Sequence, residues 1–164
     1  MRAYVAVGTN LGDRWANLAR AARGLRAVPR TAIVAASRAW DTAPVGPPQP
    51  RYLNAVLALE TGLPPGELLR AFREIEAGAL RRRDVRWGAR TLDLDLLLQG
   101  DVVVATPTLT LPHPGLATRR FVLAPLAELA PHLVIPGTRA TVAELLARAP
   151  EADVTPAGLY PLEL

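Results

Sequence analysis

Asp93 and Asp95 stand two residues apart in the run Thr91-Leu92-Asp93-Leu94-Asp95-Leu96-Leu97-Leu98, where acid alternates with leucine. Successive side chains of a strand point to opposite faces, so both carboxylates share one face while Leu92, Leu94, Leu96 and Leu98 point to the core. Two acids spaced this way lie about 7 Å apart and repel each other. They need a compensating cation, either arginine or a hard divalent metal, for which carboxylate oxygens are natural ligands. The plainer reading is a solvated pair neutralised by Arg86, Arg90 and the run Arg81-Arg82-Arg83. The neighbouring Arg86-Trp87-Gly88-Ala89-Arg90 tilts the balance toward metal. Metal-holding acids beside several guanidinium groups are what phosphoryl transfer from a nucleotide requires.

A second alternating strand supplies further groups. Across Tyr52 to Glu60, Leu53, Ala55, Leu57 and Leu59 point one way and Tyr52 and Asn54 the other. Two carboxylates, an amide and a phenol are thereby expected on one side of one sheet. His113 lies between prolines in Leu111-Pro112-His113-Pro114-Gly115, with Arg119 and Phe121 shortly after it. A lone histidine is more often structural, but a base or a phosphate could sit among these three. Trp87 reads as an anchor of its Arg-Trp-Gly loop. Asn10, between Gly8 and Gly12, resembles a weak anion-binding turn and fits neither a Rossmann nor a P-loop fingerprint.

Composition narrows the chemistry. All 19 basic residues are arginine, which removes a Schiff-base lysine and a P-loop lysine. Cysteine is absent, and there is no zinc spacing or nucleophile elbow. The net charge of +4 suggests an anionic partner, since guanidinium forks bind phosphate and carboxylate in pairs of hydrogen bonds. A non-catalytic nucleotide- or RNA-binding module is the weaker alternative. Its RNA-binding form uses exposed aromatics on central strands, and here the strands offer mainly Tyr52, with acids that repel phosphate. No apolar run approaches the roughly 20 residues of a spanning helix. The opening MRAYVAVGTN lacks the features of a secretory leader, so a cytoplasmic protein without a membrane partner is expected. With 164 residues, half of them apolar, a single domain over 1–164 is expected, with 150–164 as a possible tail and a monomer as the simplest state.

The elements that must position these groups follow from period and punctuation. Ala3 to Gly8 reads as a strand and Gly8 to Asp13 as a turn, with Asp13 capping a helix that buries Trp15, Leu18, Ala22 and Leu25. Thr31 to Ala39 is a second strand, followed by a proline-rich loop, and Tyr52 to Glu60 is the third. Pro64 and Pro65 open a helix that buries Leu68, Phe72 and Ile75, joined by Leu69. An arginine-rich loop leads to the strand Thr91 to Leu98. A hairpin strand near 102–104 and helices near 122–129 and 141–148 complete the chain. Thr141 and Glu144 have the spacing of a capping box. The order βαββαβ predicts an α+β, ferredoxin-like antiparallel sheet with both helices on one face and additional C-terminal helices. The face away from the helices is the natural place for a site.

Arg86-Trp87-Gly88-Ala89-Arg90-Thr91-Leu92-Asp93-Leu94-Asp95-Leu96 resembles the signature of the hydroxymethyldihydropterin pyrophosphokinase family. The likeness continues in order through Val7-Gly8-Thr9-Asn10-Leu11-Gly12, Thr42-Ala43-Pro44-Val45-Gly46, Tyr52-Leu53-Asn54-Ala55, Ile75-Glu76, Leu111-Pro112-His113-Pro114 and Arg119-Arg120-Phe121-Val122. It implies attack of the pterin hydroxymethyl oxygen on the β-phosphorus of ATP, with AMP as the leaving product. It further implies two Mg2+ ions held by Asp93 and Asp95 between ATP and pterin, with Asp93 also bearing on deprotonation of the hydroxyl. Arg81, Arg83 and Arg90 would bind phosphates and stabilise the transition state. Glu76, Trp87, Arg90, Leu96, Thr110, His113 and Arg119 would line the ATP site. Tyr52 and Phe121 would sandwich the pterin, while Asn54 and the backbone of Thr42, Ala43, Pro44 and Val45 read its edge. The Gly8–Asp13 turn, the Thr42–Arg51 loop and the arginine-rich loop are the expected lids.

The sequence departs from the family pattern in places. Between Glu76 and Arg86 it is a residue shorter and carries three arginines in a row, so their individual roles stay open. Arg73 replaces a frequent glutamine and Pro114 a frequent tyrosine. Neither change removes a metal ligand.

Overall fold

The computed structural model describes residues 1–80 and 91–162. Its elements run β1 (Arg2–Thr9), α1 (Arg14–Arg26), β2 (Thr31–Ala36), β3 (Ala39–Thr42), β4 (Tyr52–Thr61), α2 (Pro65–Leu80), β5 (Asp93–Gln99), β6 (Val104–Ala105), β7 (Thr110–Leu111), α3 (Arg120–Leu129), α4 (Val142–Arg148) and β8 (Val154–Gly158). The main sheet has the order β5-β1-β4-β3-β8, with β2 also on β4, and its pairings are antiparallel. This is the ferredoxin-like core. None of the described helices is long and apolar enough to cross a membrane.

One face of the sheet carries α1 and α2. Leu53, Ala55, Leu57 and Leu59 of β4 pack with Leu18, Ala22 and Leu25 of α1 and with Leu68 and Phe72 of α2. The two helices meet where Gly24 lacks a side chain. A Cβ there would lie 2.9 Å from Ile75 Cγ1, so this glycine sets how closely α1 approaches α2. Asp13 caps α1 by accepting from the Ala16 amide, and Thr141 and Glu144 form the expected capping box on α4.

Four differences from the sequence reading have physical causes. The second strand is two, because the ladder is interrupted at Ser37. There the hydroxyl accepts from the Val56 amide at 2.9 Å while the Ser37 amide donates to the Val56 carbonyl. The last β5 leucines do not continue the alternation. The register against β1 shifts between Tyr4 and Val5, so Leu97 and Leu98 both enter a second core with Tyr4, Val56 and the C-terminal helices. That second core shows that α3 and α4 cover part of the face opposite α1 and α2. Finally, 150–164, read only as a possible tail, contains a strand within its described part. Strand β8 pairs with β3, and the buried Tyr160 donates its hydroxyl to the Leu18 carbonyl at 2.7 Å.

Candidate active site

What the C-terminal helices leave uncovered is the end of the sheet that carries the acids. Register places Gly8 of β1 between Asn54 of β4 and Asp93 of β5, in one row across three strands. The next row is Val56, Ala6 and Asp95. A side chain at Gly8 would fill the middle of the first row, since its Cβ would fall 2.7 Å from Asn54 Oδ1. The glycine therefore hollows the sheet surface between an amide and a carboxylate. The sequence reading put Gly8 at the junction of the first strand and the turn, without a role in the site. A glycine inside a strand is the available signal, because it often marks a close approach by a ligand.

Above this row lies a cavity of about 380 Å3, within the range of small-molecule sites. It brings together Thr42, Ala43, Pro44, Val45, Tyr52, Asn54, Asp93, Asp95, His113, Arg119 and Phe121, from β3, β4, β5, the proline-flanked loop and the start of α3. Asn54 is oriented by Thr42, whose hydroxyl takes the amide Nδ2 at 2.7 Å, which leaves Oδ1 beside Gly8. The Arg119 guanidinium lies 5.9 Å from the Phe121 ring centroid. The Asn10 side chain joins two loops. Its Nδ2 donates to Gln49 Oε1 and to the Pro50 carbonyl, tying the β1–α1 turn to the end of the 43–51 loop.

A second, shallower cavity of about 190 Å3 adjoins the first. Asp95 and His113 line both, so these two residues form the wall between them. Leu96 and Thr110 lie on the second cavity together with Arg73, Leu69 and Leu109. Burial raises the Asp95 carboxyl above its ordinary value and the charge of Asp93 adds to it, against the pull of His113, Arg73 and Arg119. The pair thus carries an electrostatic cost that a bound cation relieves. Burial lowers His113 below its ordinary value, with Asp95 opposing. His113 Nδ1 accepts from the Gly115 amide at 3.0 Å, so the neutral ring carries its proton on Nε2.

Glu76 lines neither cavity. Its Oε2 accepts from the Leu94 amide at 2.7 Å and its Oε1 from Arg73 Nη1 at 2.7 Å, while the same Nη1 donates to the Leu94 carbonyl at 3.1 Å. Strand β5 is the sheet edge, and the Arg73–Glu76 pair stands where a neighbouring strand would satisfy Leu94, the residue between the two aspartates. The spacing of Arg73 and Glu76, three residues apart on α2, was the signal for this pair. Arg81, Arg83, Trp87 and Arg90, named from the sequence, lie outside the described residues.

The fold and this site define a small α+β protein with two acids and a histidine where two small-molecule cavities meet. Residues 4–131 match the family model described as 7,8-dihydro-6-hydroxymethylpterin-pyrophosphokinase (HPPK), and the chain belongs to that family. It is 45% identical over 150 residues to the 2-amino-4-hydroxy-6-hydroxymethyldihydropteridine pyrophosphokinase of Pseudomonas aeruginosa, covering 91% of this chain and 92% of the relative. The Methylorubrum extorquens protein of the same name is 45% identical over 148 residues, covering 90% and 92%. Among solved structures, an HPPK-DHPS in complex with substrates is similar in fold, with a TM-score of 0.71 at 11% identity. That match covers 90% of this chain, which spans only 43% of the HPPK-DHPS chain.

Proposed function

We infer that this chain transfers the pyrophosphoryl group of ATP to the hydroxyl of 6-hydroxymethyl-7,8-dihydropterin, giving AMP and the pterin diphosphate in folate biosynthesis. The observation that carries the reading is the wall of Asp95 and His113 between a pterin-sized cavity and a second one beside it. An acceptor in the first and a nucleotide in the second would meet at the two carboxylates.

In the first cavity, Tyr52 and Phe121 stack on the flat ring, and Asn54 Oδ1 accepts a hydrogen bond from its edge. Ala43 reads the edge less than the sequence suggests, because its amide already donates to the Asp153 carbonyl at 3.0 Å. In the second cavity, Leu69, Leu96 and Leu109 offer apolar contact to the nucleotide. The Nε2 proton of His113 and the Arg73 guanidinium face its phosphates there, and Arg119 meets them from the first cavity. Asp93 and Asp95 fit Mg2+, because they supply hard oxygen donors on one face and magnesium keeps several waters and takes phosphate oxygens besides. When bound, magnesium, in this reading two ions, neutralises the polyanion and orients the attacking and leaving oxygens. A bond forms between the hydroxymethyl oxygen and the β-phosphorus as the bond from that phosphorus to the oxygen retained by AMP breaks. The hydroxyl proton departs on the side of Asp93. Arg81, Arg83, Trp87 and Arg90 have the nucleotide-binding roles that the family resemblance implies, and the enzyme works as a one-domain cytoplasmic monomer.

The test is product identity. With ATP, Mg2+ and 6-hydroxymethyl-7,8-dihydropterin, AMP appears in step with the pterin diphosphate and only when the pterin is present. Release of ADP, or of AMP without the pterin, rejects the reading.

A further inference from the structure

We propose that Asp153 is a positioning residue for the acceptor site, clamping both ends of the loop that forms the mouth of the pterin cavity. The proposal rests on the function inferred above. Asp153 lies beyond residue 131, where the family match ends.

The loop runs from Ala43, just after β3, to Arg51, just before β4, and its first residues line the cavity. Its entry is held by the Ala43 amide, which donates to the Asp153 carbonyl at 3.0 Å and extends the β3–β8 ladder by one bond. Its exit is held by Arg51, whose Nη1 and Nη2 donate to the two Asp153 carboxylate oxygens at 2.8 and 3.1 Å. Paired guanidinium–carboxylate bonds fix direction as well as distance. One residue therefore grips both loop ends, by its backbone at one and its side chain at the other. Asp41 on β3 takes Arg51 Nε, and Arg14 of α1 donates to the Arg51 carbonyl at 3.2 Å, so the exit is braced from three elements. The grip has a fixed footing, since β8 is followed by the buried Tyr160, bonded to α1 through Leu18. The loop carries Val45, 79% exposed at the cavity mouth, an apolar side chain that a bound pterin would cover. Holding the loop ends thus sets where Ala43, Pro44 and Val45 meet the ring, without touching the nucleotide cavity.

The experiment compares wild type, Asp153→Asn, Arg51→Gln and the double variant. Asp153→Asn keeps the backbone bond to Ala43 and removes the fork. An exposed pair of this kind is worth about a three- to fivefold change in an equilibrium. The pterin KM therefore rises about three- to fivefold while kcat and the ATP KM stay within about twofold of wild type. Arg51→Gln, which also loses the bond to Asp41, gives an equal or larger rise, and the double variant adds little to Arg51→Gln, because without Arg51 the Asp153 carboxylate has no fork left to lose. Raising the salt moves the wild-type pterin KM toward that of the variant. Amide exchange of residues 43–51 without substrate is faster in Asp153→Asn. An unchanged pterin KM, or equal losses in kcat and both KM values, overturns the proposal. A wild type that makes no AMP defeats the functional reading instead. In that case the exchange measurement still decides the clamp, and unchanged protection of 43–51 refutes it.

Discussion

Replacing Glu76 by alanine separates the brace on the metal-bearing strand from the chemistry it supports. The carboxylate is buried, and its loss leaves the Leu94 amide without its acceptor. An unsatisfied buried donor costs about 1–3 kcal/mol. Arg73 adds little to that cost, because its side chain is 51% exposed and water can replace Glu76 there. Burial also pushes the Glu76 carboxyl up, against the Leu94 amide and Arg73, so deleting it relieves some desolvation. The net expectation is a loss of about 2 kcal/mol, or about 6 °C in Tm for a chain of this size. Since Leu94 separates Asp93 from Asp95, the same change loosens both carboxylates, and kcat falls about tenfold or more at saturating substrates. Urea unfolding followed by tryptophan fluorescence measures the first effect and AMP release the second. Glu67, exposed in the first turn of the same helix, is the control, and its alanine variant stays within about 0.5 kcal/mol of wild type. A Glu76→Ala protein as stable as wild type refutes the brace. One that is destabilised yet has unchanged kcat refutes its link to the aspartates.

Gly8→Ala places a methyl group 2.7 Å from Asn54 Oδ1, so the pterin KM rises about tenfold with little change in stability; an unchanged KM would show that the hollow is not used. Tyr160→Phe removes a buried hydrogen bond and destabilises the protein by about 1 kcal/mol at neutral pH. Burial pushes the Tyr160 phenol above its ordinary value, so its contribution is complete below the unfolded value of about 10 and is lost as pH rises above it. Urea midpoints of wild type and Tyr160→Phe therefore converge above pH 10, and a constant gap would contradict this. Thr141→Ala breaks the capping box and lowers stability by about 1 kcal/mol with activity unchanged; equal urea midpoints would count against the cap.

Much of the site was legible because alternation in a strand is a strict geometric rule. Acid against leucine in β5 and polar against aliphatic in β4 put Asp93, Asp95, Tyr52 and Asn54 on one face before any tertiary contact was known. The same rule misplaced Leu98, since a run of three leucines gives no sign of where a register shift falls. Ser37 was read through for a related reason. Its hydroxyl takes the place of a carbonyl in the ladder, and hydrophobic patterning does not report such a substitution. The turn was begun at Gly8 because Gly-Thr-Asn-Leu-Gly has turn composition, whereas pairing with β4 carries β1 through Thr9. Strand β8 was hidden by Pro156 and Gly158, residues that lower strand propensity but are tolerated at a sheet edge. Glu76 belonged to a recognisable motif and its spacing from Arg73 was visible, yet the Leu94 amide it also holds lies on a distant strand, which no local pattern shows.

The central claim is that Asp95, on the wall between the two cavities, serves pyrophosphoryl transfer and not folding. Asp95→Asn keeps the shape and removes a charge that burial and Asp93 disfavour, so without ligands the variant is predicted to be at least as stable as wild type. Pterin-dependent AMP release by the same preparation is predicted to fall about a hundredfold or more. Near-wild-type AMP release by a folded Asp95→Asn protein would contradict the account.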